Sequence, residues 1–299
     1  MRAVITPEPG AKSVVTDIAA PAAGRGEVLV LVTAASVNPI DWKRAQRGEG
    51  TFPAVMGQDF AGVVVTTGEG VTEFHPDQRV FGIARTHGAL AEYTVVPSND
   101  QAQPVAVIPG GVPDVDAAAL PTAGLTALAA IDTLRLRTGD TMLIVGVAGG
   151  VGSFAAQIAL DRGIRVIGTA NSGSEEFVRA LGDVEFVAYD REEPVGAALA
   201  RCPGGVDGAL DLVDDANEIK VVSEAVKPGG AIVSTIGALD EAWCATRKIT
   251  ATNLVMNQTP RSSPAGLLEL ARMVERGELA VMIAAQPDLD GAPAALEQN

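Results

Sequence analysis

The segment Leu143-Ile-Val-Gly-Val-Ala-Gly-Gly-Val-Gly152 runs from an apolar stretch through a glycine turn into a helical pattern. Glycines at such a turn let backbone N–H groups approach a phosphate without a Cβ in the way, and the helix that follows presents its positive end. In the strict G-x-G-x-x-G register the three positions fall on Val147, Gly149 and Gly152, so the first glycine is missing. A tight turn with no ligand would read the same way. The strand before, the helix after and the further strand–helix units behind it favour a dinucleotide. Charge then bears on which one. A carboxylate about 20 residues past the loop would bind the ribose 2′-hydroxyl of NAD and repel the extra phosphate of NADP. The next strand ends at Thr169-Ala-Asn171-Ser172-Gly173 and no acid follows until Glu175, so NADPH is expected ahead of NADH. Asn171 and Ser172 stand at that strand end, and Ser172, Tyr189 and Arg179 are candidates for the phosphate. A turn serine, a half-buried strand tyrosine and a solvated helix arginine are their plainer readings.

The elements that must position these groups have two textures. The first hundred residues carry short β-branched runs, Val28 to Val32, Ala61 to Thr66 and Tyr93 to Val96, punctuated by Gly and Pro, which predicts a small β-rich barrel or sandwich. From about Pro121, strands at 142–145, 166–169, 185–188, 209–213 and 232–236 alternate with helical stretches at 151–162, 175–181, 194–201 and 216–226. That alternation predicts a doubly wound parallel sheet with helices on both faces, an α/β fold. Gly163 and Gly182 are placed to end helices, and Ser174 to cap one. The tail predicts an amphipathic helix over 267–276.

Composition excludes several classes. The chain has 299 residues, with 22 Lys and Arg against 37 Asp and Glu, a net charge of −15. Two domains fit that length. An acidic chain lacks the basic stripe that nucleic acid or an anionic membrane surface requires, so neither is an expected partner. The uncharged run 141–160 is long enough to cross a bilayer, but Gly146, Gly149, Gly150 and Gly152 in its middle read as a strand, a turn and a helix. Two cysteines, Cys202 and Cys244, make no secreted disulfide framework, and residues 1–4 open no signal peptide, so a soluble cytoplasmic protein is expected. With His75 and His87 these are the whole supply of soft ligands, without metal-site spacing, and no zinc is expected.

Several segments together resemble the medium-chain dehydrogenase/reductase superfamily, in its zinc-independent quinone oxidoreductase branch. They are Ala35-Ser-Val-Asn-Pro-Ile-Asp-Trp-Lys43, Phe52-Pro-Ala-Val-Met-Gly-Gln-Asp-Phe-Ala-Gly62, Gly68-Glu-Gly-Val71, Asp77-Gln-Arg-Val-Phe-Gly82, Ala91-Glu-Tyr93, Leu120-Pro-Thr-Ala-Gly-Leu-Thr126 and Ala148-Gly-Gly-Val-Gly152, in the family's order along essentially the whole chain. The resemblance implies a GroES-like catalytic domain over 1–119 and 256–299, and a Rossmann domain over 120–255. Zinc-bearing members carry a Cys-His pair in the first of these segments and Gly-His-Glu in the second, where this chain has Val37-Asn-Pro-Ile-Asp41 and Gly57-Gln-Asp59. Without that Lewis acid, the implied chemistry is hydride transfer to a quinone or to the β-carbon of an α,β-unsaturated carbonyl.

The family roles fall on Asn38 and Thr126 beside the nicotinamide, on Ala148, Gly149, Gly150, Val151 and Gly152 around the pyrophosphate, and on Val213 and Ile236 flanking the nicotinamide riboside. Bland readings remain for two of these: an Asn-Pro turn for Asn38 and a helix threonine bonding back to its own turn for Thr126. An enoyl-thioester reductase and a non-catalytic NADP-binding sensor or structural protein are the alternatives. Departures from the pattern are Asp214-Asp215 where relatives carry glycines, Glu175 where many NADPH users carry Lys, and an end at Leu296-Glu-Gln-Asn299 without the relatives' Gly-Lys strand. Relatives pair the last Rossmann strand between subunits, so a homodimer through the run 249–256 is expected.

Overall fold

In a computed structural model that describes residues 1–298, the chain divides into two compact units. The first comprises Met1–Leu125, Pro260–Arg276 and the stretch from Ile283 onward, and the second comprises Thr126–Thr259 with Gly277–Met282. The expected boundary at 119/120 therefore moves to the middle of a helix, and residues 277–282 join the second unit. The cause of that return is a reciprocal pair of hydrogen bonds. The Gln157 side chain accepts from the Ala280 N–H (2.7 Å) and donates to the Ala280 carbonyl (3.0 Å).

The first unit opens with β1 (Arg2–Thr6), β2 (Val14–Asp17) and β3 (Glu27–Ser36), followed by α1 (Pro39–Gln46), β4 (Ala54–Val55), β5 (Asp59–Thr67), β6 (Arg79–Ile83), β7 (Tyr93–Pro97), β8 (Val105–Val107) and α2 (Asp114–Ala119). Two antiparallel sheets result, β2-β1-β4 and β7-β3-β5-β6-β8. Alternating Val28, Val30, Phe60, Val64 and Val80 close one face of the larger sheet into a core with Phe74 and Val105. This is the β-rich domain predicted from the first hundred residues. Its register also fixes a polar pairing: Asp59 stands opposite Ser36 on one side and Ile83 on the other.

The helix α3 (Pro121–Leu134) leads into the second unit, built from β9 (Thr141–Val145), α4 (Gly150–Asp161), β10 (Arg165–Ala170), α5 (Glu175–Ala180), β11 (Val184–Ala188), α6 (Pro194–Arg201), β12 (Val206–Asp211), α7 (Glu218–Ser223), β13 (Val226–Ser234), α8 (Glu241–Thr246) and β14 (Thr250–Asn253). The six strands pair in parallel in the order β11-β10-β9-β12-β13-β14. Chain order reverses between β9 and β12, and ligands of open parallel sheets bind at the C-terminal edge at such a reversal. β9 is buried at every position, as a central strand covered on both faces must be.

The predicted elements recur with ends shifted by a few residues. Gly163 ends α4 in the left-handed region (φ +71°) as expected. Ser174 does not cap α5 with its side chain; Asn171 instead accepts from the Gly173 N–H (2.9 Å) and starts a short 3-10 turn. The tail helices are α9 (Pro264–Glu275) and α10 (Ala292–Gln298), while the last strand is confined to 250–253 within the expected 249–256. Among the described residues no helix is long and apolar enough to cross a membrane.

Candidate functional site

At the C-terminal edge of the parallel sheet, the glycine turn between β9 and α4 has the missing first glycine displaced by one position. Gly146 takes φ +87°, and its N–H and that of Val147 both donate to the Thr169 carbonyl (3.2 and 3.0 Å). A Cβ on Gly152 would lie 2.3 Å from the Gly146 carbonyl oxygen and 2.8 Å from the Val147 Cα, so the turn folds back on its own helix. Gly149 is the N-cap of α4, and the first-turn amides of Gly150, Val151 and Gly152 have no acceptor within the helix. Together with Ala148 they form a bare backbone cradle at a positive helix end, which fits a pyrophosphate.

The remaining expected cofactor residues lie along the same edge. Val213, just past β12, packs against Gly146, whose Cβ would approach a Val213 methyl at 3.0 Å. Ile236 follows β13, and its N–H donates to the Ser234 hydroxyl (3.3 Å). Val213 and Ile236 are 60 % and 45 % exposed. Tyr189, past β11, is 55 % exposed, and its N–H donates to the Ala170 carbonyl (3.1 Å).

Ser172 departs from the expectation of an open phosphate contact. Its N–H and its hydroxyl both donate to the Asp190 carboxylate, at 2.8 and 2.7 Å. The acid absent from the chain directly after β10 arrives in space from the neighbouring strand. Ala170 and Ala188 are register partners, so residues two past each of them meet. These two hydrogen bonds hold the Asp190 carboxyl below the ordinary carboxylate range, keeping it ionised. Arg179 is ion-paired with Glu175 at 2.7 Å, as a solvated helix pair.

The two aspartates that stand where relatives carry glycines have separate uses. Asp215 accepts from the Asn217 and Glu218 N–H groups (2.7 and 3.1 Å) ahead of α7. The Asp214 N–H donates to Asp211 (3.2 Å), a fully buried carboxyl at the end of β12 whose second oxygen has no hydrogen-bond partner among the described residues. Burial first, and the Asp214 charge second, push Asp211 up to about 7.

In the first unit, a buried polar network surrounds Asp59, which has no exposed surface. Its Oδ2 accepts from the Asn38 amide (3.0 Å), the Ser36 hydroxyl (3.1 Å) and the Thr122 N–H (2.9 Å), and its Oδ1 from the Thr122 hydroxyl (2.6 Å). The Gln58 amide donates to the Thr122 hydroxyl in turn (2.6 Å). Asn38 precedes Pro39, the first residue of α1, and its N–H donates to the buried Asp41 carboxylate (2.8 Å). Asn38 is thus held from both sides, and its amide nitrogen also reaches Ser36 (3.1 Å). Thr126 is buried in α3, as the first residue of the second unit. Asp41 and Asp59 were quoted in the motifs but carried no role in the sequence; a carboxylate opening a strand as apolar as β5 was the available signal.

Burial raises Asp41 to about 7 and Asp59 to about 6, from an ordinary value of 3.8. Between pH 4 and 7 the folded chain therefore holds protons that the unfolded chain has released. The stabilisation is complete below pH 4 and lost as pH rises through these values, with Asp211 adding to the trend. The melting temperature is expected to fall by several degrees from pH 5.5 to pH 8, and Asp41→Asn should flatten that slope. Calorimetry at a series of pH values checks both.

Comparison with known proteins agrees with this architecture. Residues 24–109 match the family description "Alcohol dehydrogenase GroES-like domain", and residues 150–275 match "Zinc-binding dehydrogenase". The Arabidopsis thaliana "Chloroplast envelope quinone oxidoreductase homolog" is 32 % identical over 240 residues, which cover 75 % of this chain and 70 % of that protein. The "2-methylene-furan-3-one reductase" of Solanum lycopersicum is 31 % identical over 239 residues, covering 75 % of this chain, and the match spans only 58 % of that relative's length. The structure of the quinone oxidoreductase from Coxiella burnetii superposes with a TM-score of 0.86 at 29 % identity, covering 100 % of this chain and 95 % of that one. A GroES-like unit joined to a dinucleotide-type parallel sheet defines the class of medium-chain dehydrogenases and reductases. This chain belongs to that superfamily, in its quinone oxidoreductase branch.

Proposed function

We propose that this protein is an oxidoreductase that reduces a quinone or an α,β-unsaturated carbonyl with NADPH and without zinc. The observation that carries this reading is the network around Asp59. Two amides, Asn38 and Gln58, stand where zinc-bearing relatives have metal ligands, and each amide is already committed to hydrogen bonds. Among the described residues there is also no cluster of three or more His, Cys, Asp or Glu suited to a metal. When bound, the dihydronicotinamide supplies the hydride. The backbone N–H groups of 148–152 would hold the pyrophosphate, and the exposed faces of Val213 and Ile236 would cover the riboside. Asn38, fixed by Asp59 and Asp41, and Thr126 would orient the ring and acceptor. An acceptor whose own conjugation spreads the arriving charge needs orientation more than a Lewis acid.

Steady loss of NADPH absorbance with a quinone and enone panel is the expected result. Cofactor binding without turnover on quinones, enals and enoyl thioesters would overturn the reading in favour of a non-catalytic binding protein. Cofactor preference is open to a sharper test at Asp190. Its charge opposes a 2′-phosphate and its carboxylate occupies the N–H and hydroxyl of Ser172, which leaves exposed Tyr189 as the group on hand to receive one. Asp190→Asn is expected to tighten NADPH binding several-fold relative to NADH, read as the difference between the two cofactors' thermal shifts. A larger shift with NADH in the unaltered protein would reverse the NADPH assignment.

The substrate is a small molecule; with a net charge of −15, neither nucleic acid nor an anionic membrane surface is a suitable partner. We assign the protein to the cytoplasm, a reducing compartment in keeping with free Cys202 and Cys244. A homodimer through β14 is proposed because that strand ends the sheet order with one unpaired edge, and an open edge invites pairing with a second copy. A monomeric mass at micromolar concentration would rule it out.

A further inference from the structure

Arg85 has no role in the site as described, yet its surroundings are unusual. It lies two residues past β6 and is half-buried, and its Nε is out of contact with solvent and, among the described residues, without a hydrogen-bond acceptor. The backbone around it is held firmly. The Ala84 N–H donates to the Gln58 carbonyl (2.6 Å), the Gly88 N–H returns to the Ala84 carbonyl (3.0 Å), and the Thr86 N–H and hydroxyl both donate to Gln103 (3.1 and 3.2 Å). Gly88 closes the turn at φ +70°, where a Cβ would meet the Val55 carbonyl at 2.5 Å.

The nearby carboxylates are occupied elsewhere. Asp59 accepts from Ser36, Asn38 and Thr122, while Asp100 accepts from the Ala102 N–H and the Gln103 amide. Burial disfavours the charged form of Arg85, and Arg44 adds a second positive charge that repels the guanidinium. In this acidic chain other partly buried arginines take carboxylate partners: Arg79 with Asp114, Arg162 with Asp132, Arg201 with Glu192. A guanidinium stays charged at any working pH, and its planar fork matches a carboxylate. A desolvated N–H of that group without an acceptor is costly, and the terminal guanidinium nitrogens, which are not sealed from solvent, are the ones open to an incoming anion.

Ile83 is the register partner of Asp59, which holds Asn38. Arg85 follows Ala84, whose N–H is bonded to the carbonyl of Gln58, the residue before Asp59, so Arg85 leaves the sheet beside the strand end that holds Asn38. Resting on the reductase reading above, we propose that Arg85 anchors a carboxylate carried by the substrate, making the preferred acceptor an anionic enone or quinone.

The test compares 4-oxopent-2-enoate with its methyl ester, two enones alike except for the charge, in kcat/KM and in equilibrium binding to the NADP⁺-loaded protein. The acid is expected to be preferred, through a lower KM, and the preference to shrink as salt rises. Arg85→Gln should lower the acid-to-ester ratio at least tenfold, and Arg85→Lys should keep part of it. Equal use of acid and ester by the unaltered protein overturns the proposal, as does a ratio unchanged in Arg85→Gln. If neither compound is turned over but the acid binds better than the ester and Arg85→Gln removes the difference, the anion site stands and the reductase reading fails. If Arg85→Gln does not fold, the Lys variant and the salt dependence of the unaltered protein decide.

Discussion

Gly152→Ala is expected to abolish measurable cofactor binding. The new methyl would sit 2.3 Å from the Gly146 carbonyl oxygen, and backbone, unlike a flexible side chain, cannot swing aside. Either the turn opens or α4 moves off β9; both pull apart the amides of Gly150, Val151 and Gly152. Overpacking of this kind costs about 1–3 kcal/mol of stability, so the protein should still fold. Its melting temperature should no longer respond to NADPH or NADH. Gly110→Ala is the matched control, since a Cβ there meets nothing within 4 Å and its φ is ordinary. If Gly152→Ala retained the cofactor-induced shift, the turn would not be the pyrophosphate site.

The second large effect is expected at Asp59. Asp59→Ala removes the acceptor shared by the Asn38 amide, which keeps only its bond to Ser36, by the half-buried Ser36 hydroxyl and by the half-buried N–H and hydroxyl of Thr122. Buried unpaired donors cost about 1–3 kcal/mol each, so a loss of about 3–5 kcal/mol follows, near the limit for a single substitution. Asp59→Asn keeps the shape but turns part of the acceptor into a donor facing other donors. It should fold, with a kcat at least tenfold lower and cofactor affinity little altered, if the proposed role of Asn38, which Asp59 holds, is correct. It should also remove the titration near pH 6 from the stability profile. Denaturant unfolding and steady-state kinetics on the two variants separate the structural part from the positioning part.

How much of this was legible in the sequence differs by level. The strand–helix alternation after Pro121 was readable because each unit carries its own period and its own glycine stop, Gly163 and Gly182 among them. The glycine cradle was readable with its first glycine apparently missing, because the left-handed turn that Gly146 takes one position early is a property of the folded backbone. What stayed hidden depended on pairing across strands. Asp190 lies 18 residues from Ser172 in sequence, and nothing local announces that the β10–β11 register brings them together. Asp59 looked like a motif residue of no particular duty. Its importance comes from β5 passing between β3 and β6, with Thr122 arriving from α3. The Asp214-Asp215 departure was visible, but its division into a partner for Asp211 and a helix-capping acid required the fold.

The reciprocal bonds between Gln157 and Ala280 also bear on how this protein can be dissected. The chain passes from one unit to the other after Leu125, Thr259, Arg276 and Met282, so neither unit is a contiguous stretch. A fragment cut at residue 259 would give up Ala280, leaving the buried Gln157 amide with its bond to the Ser153 carbonyl but its side-chain oxygen without the Ala280 N–H. Proteolytic nicking or gene truncation in the last forty residues therefore removes a partner of the cofactor-type sheet's helix α4 as well as segments of the β-rich unit.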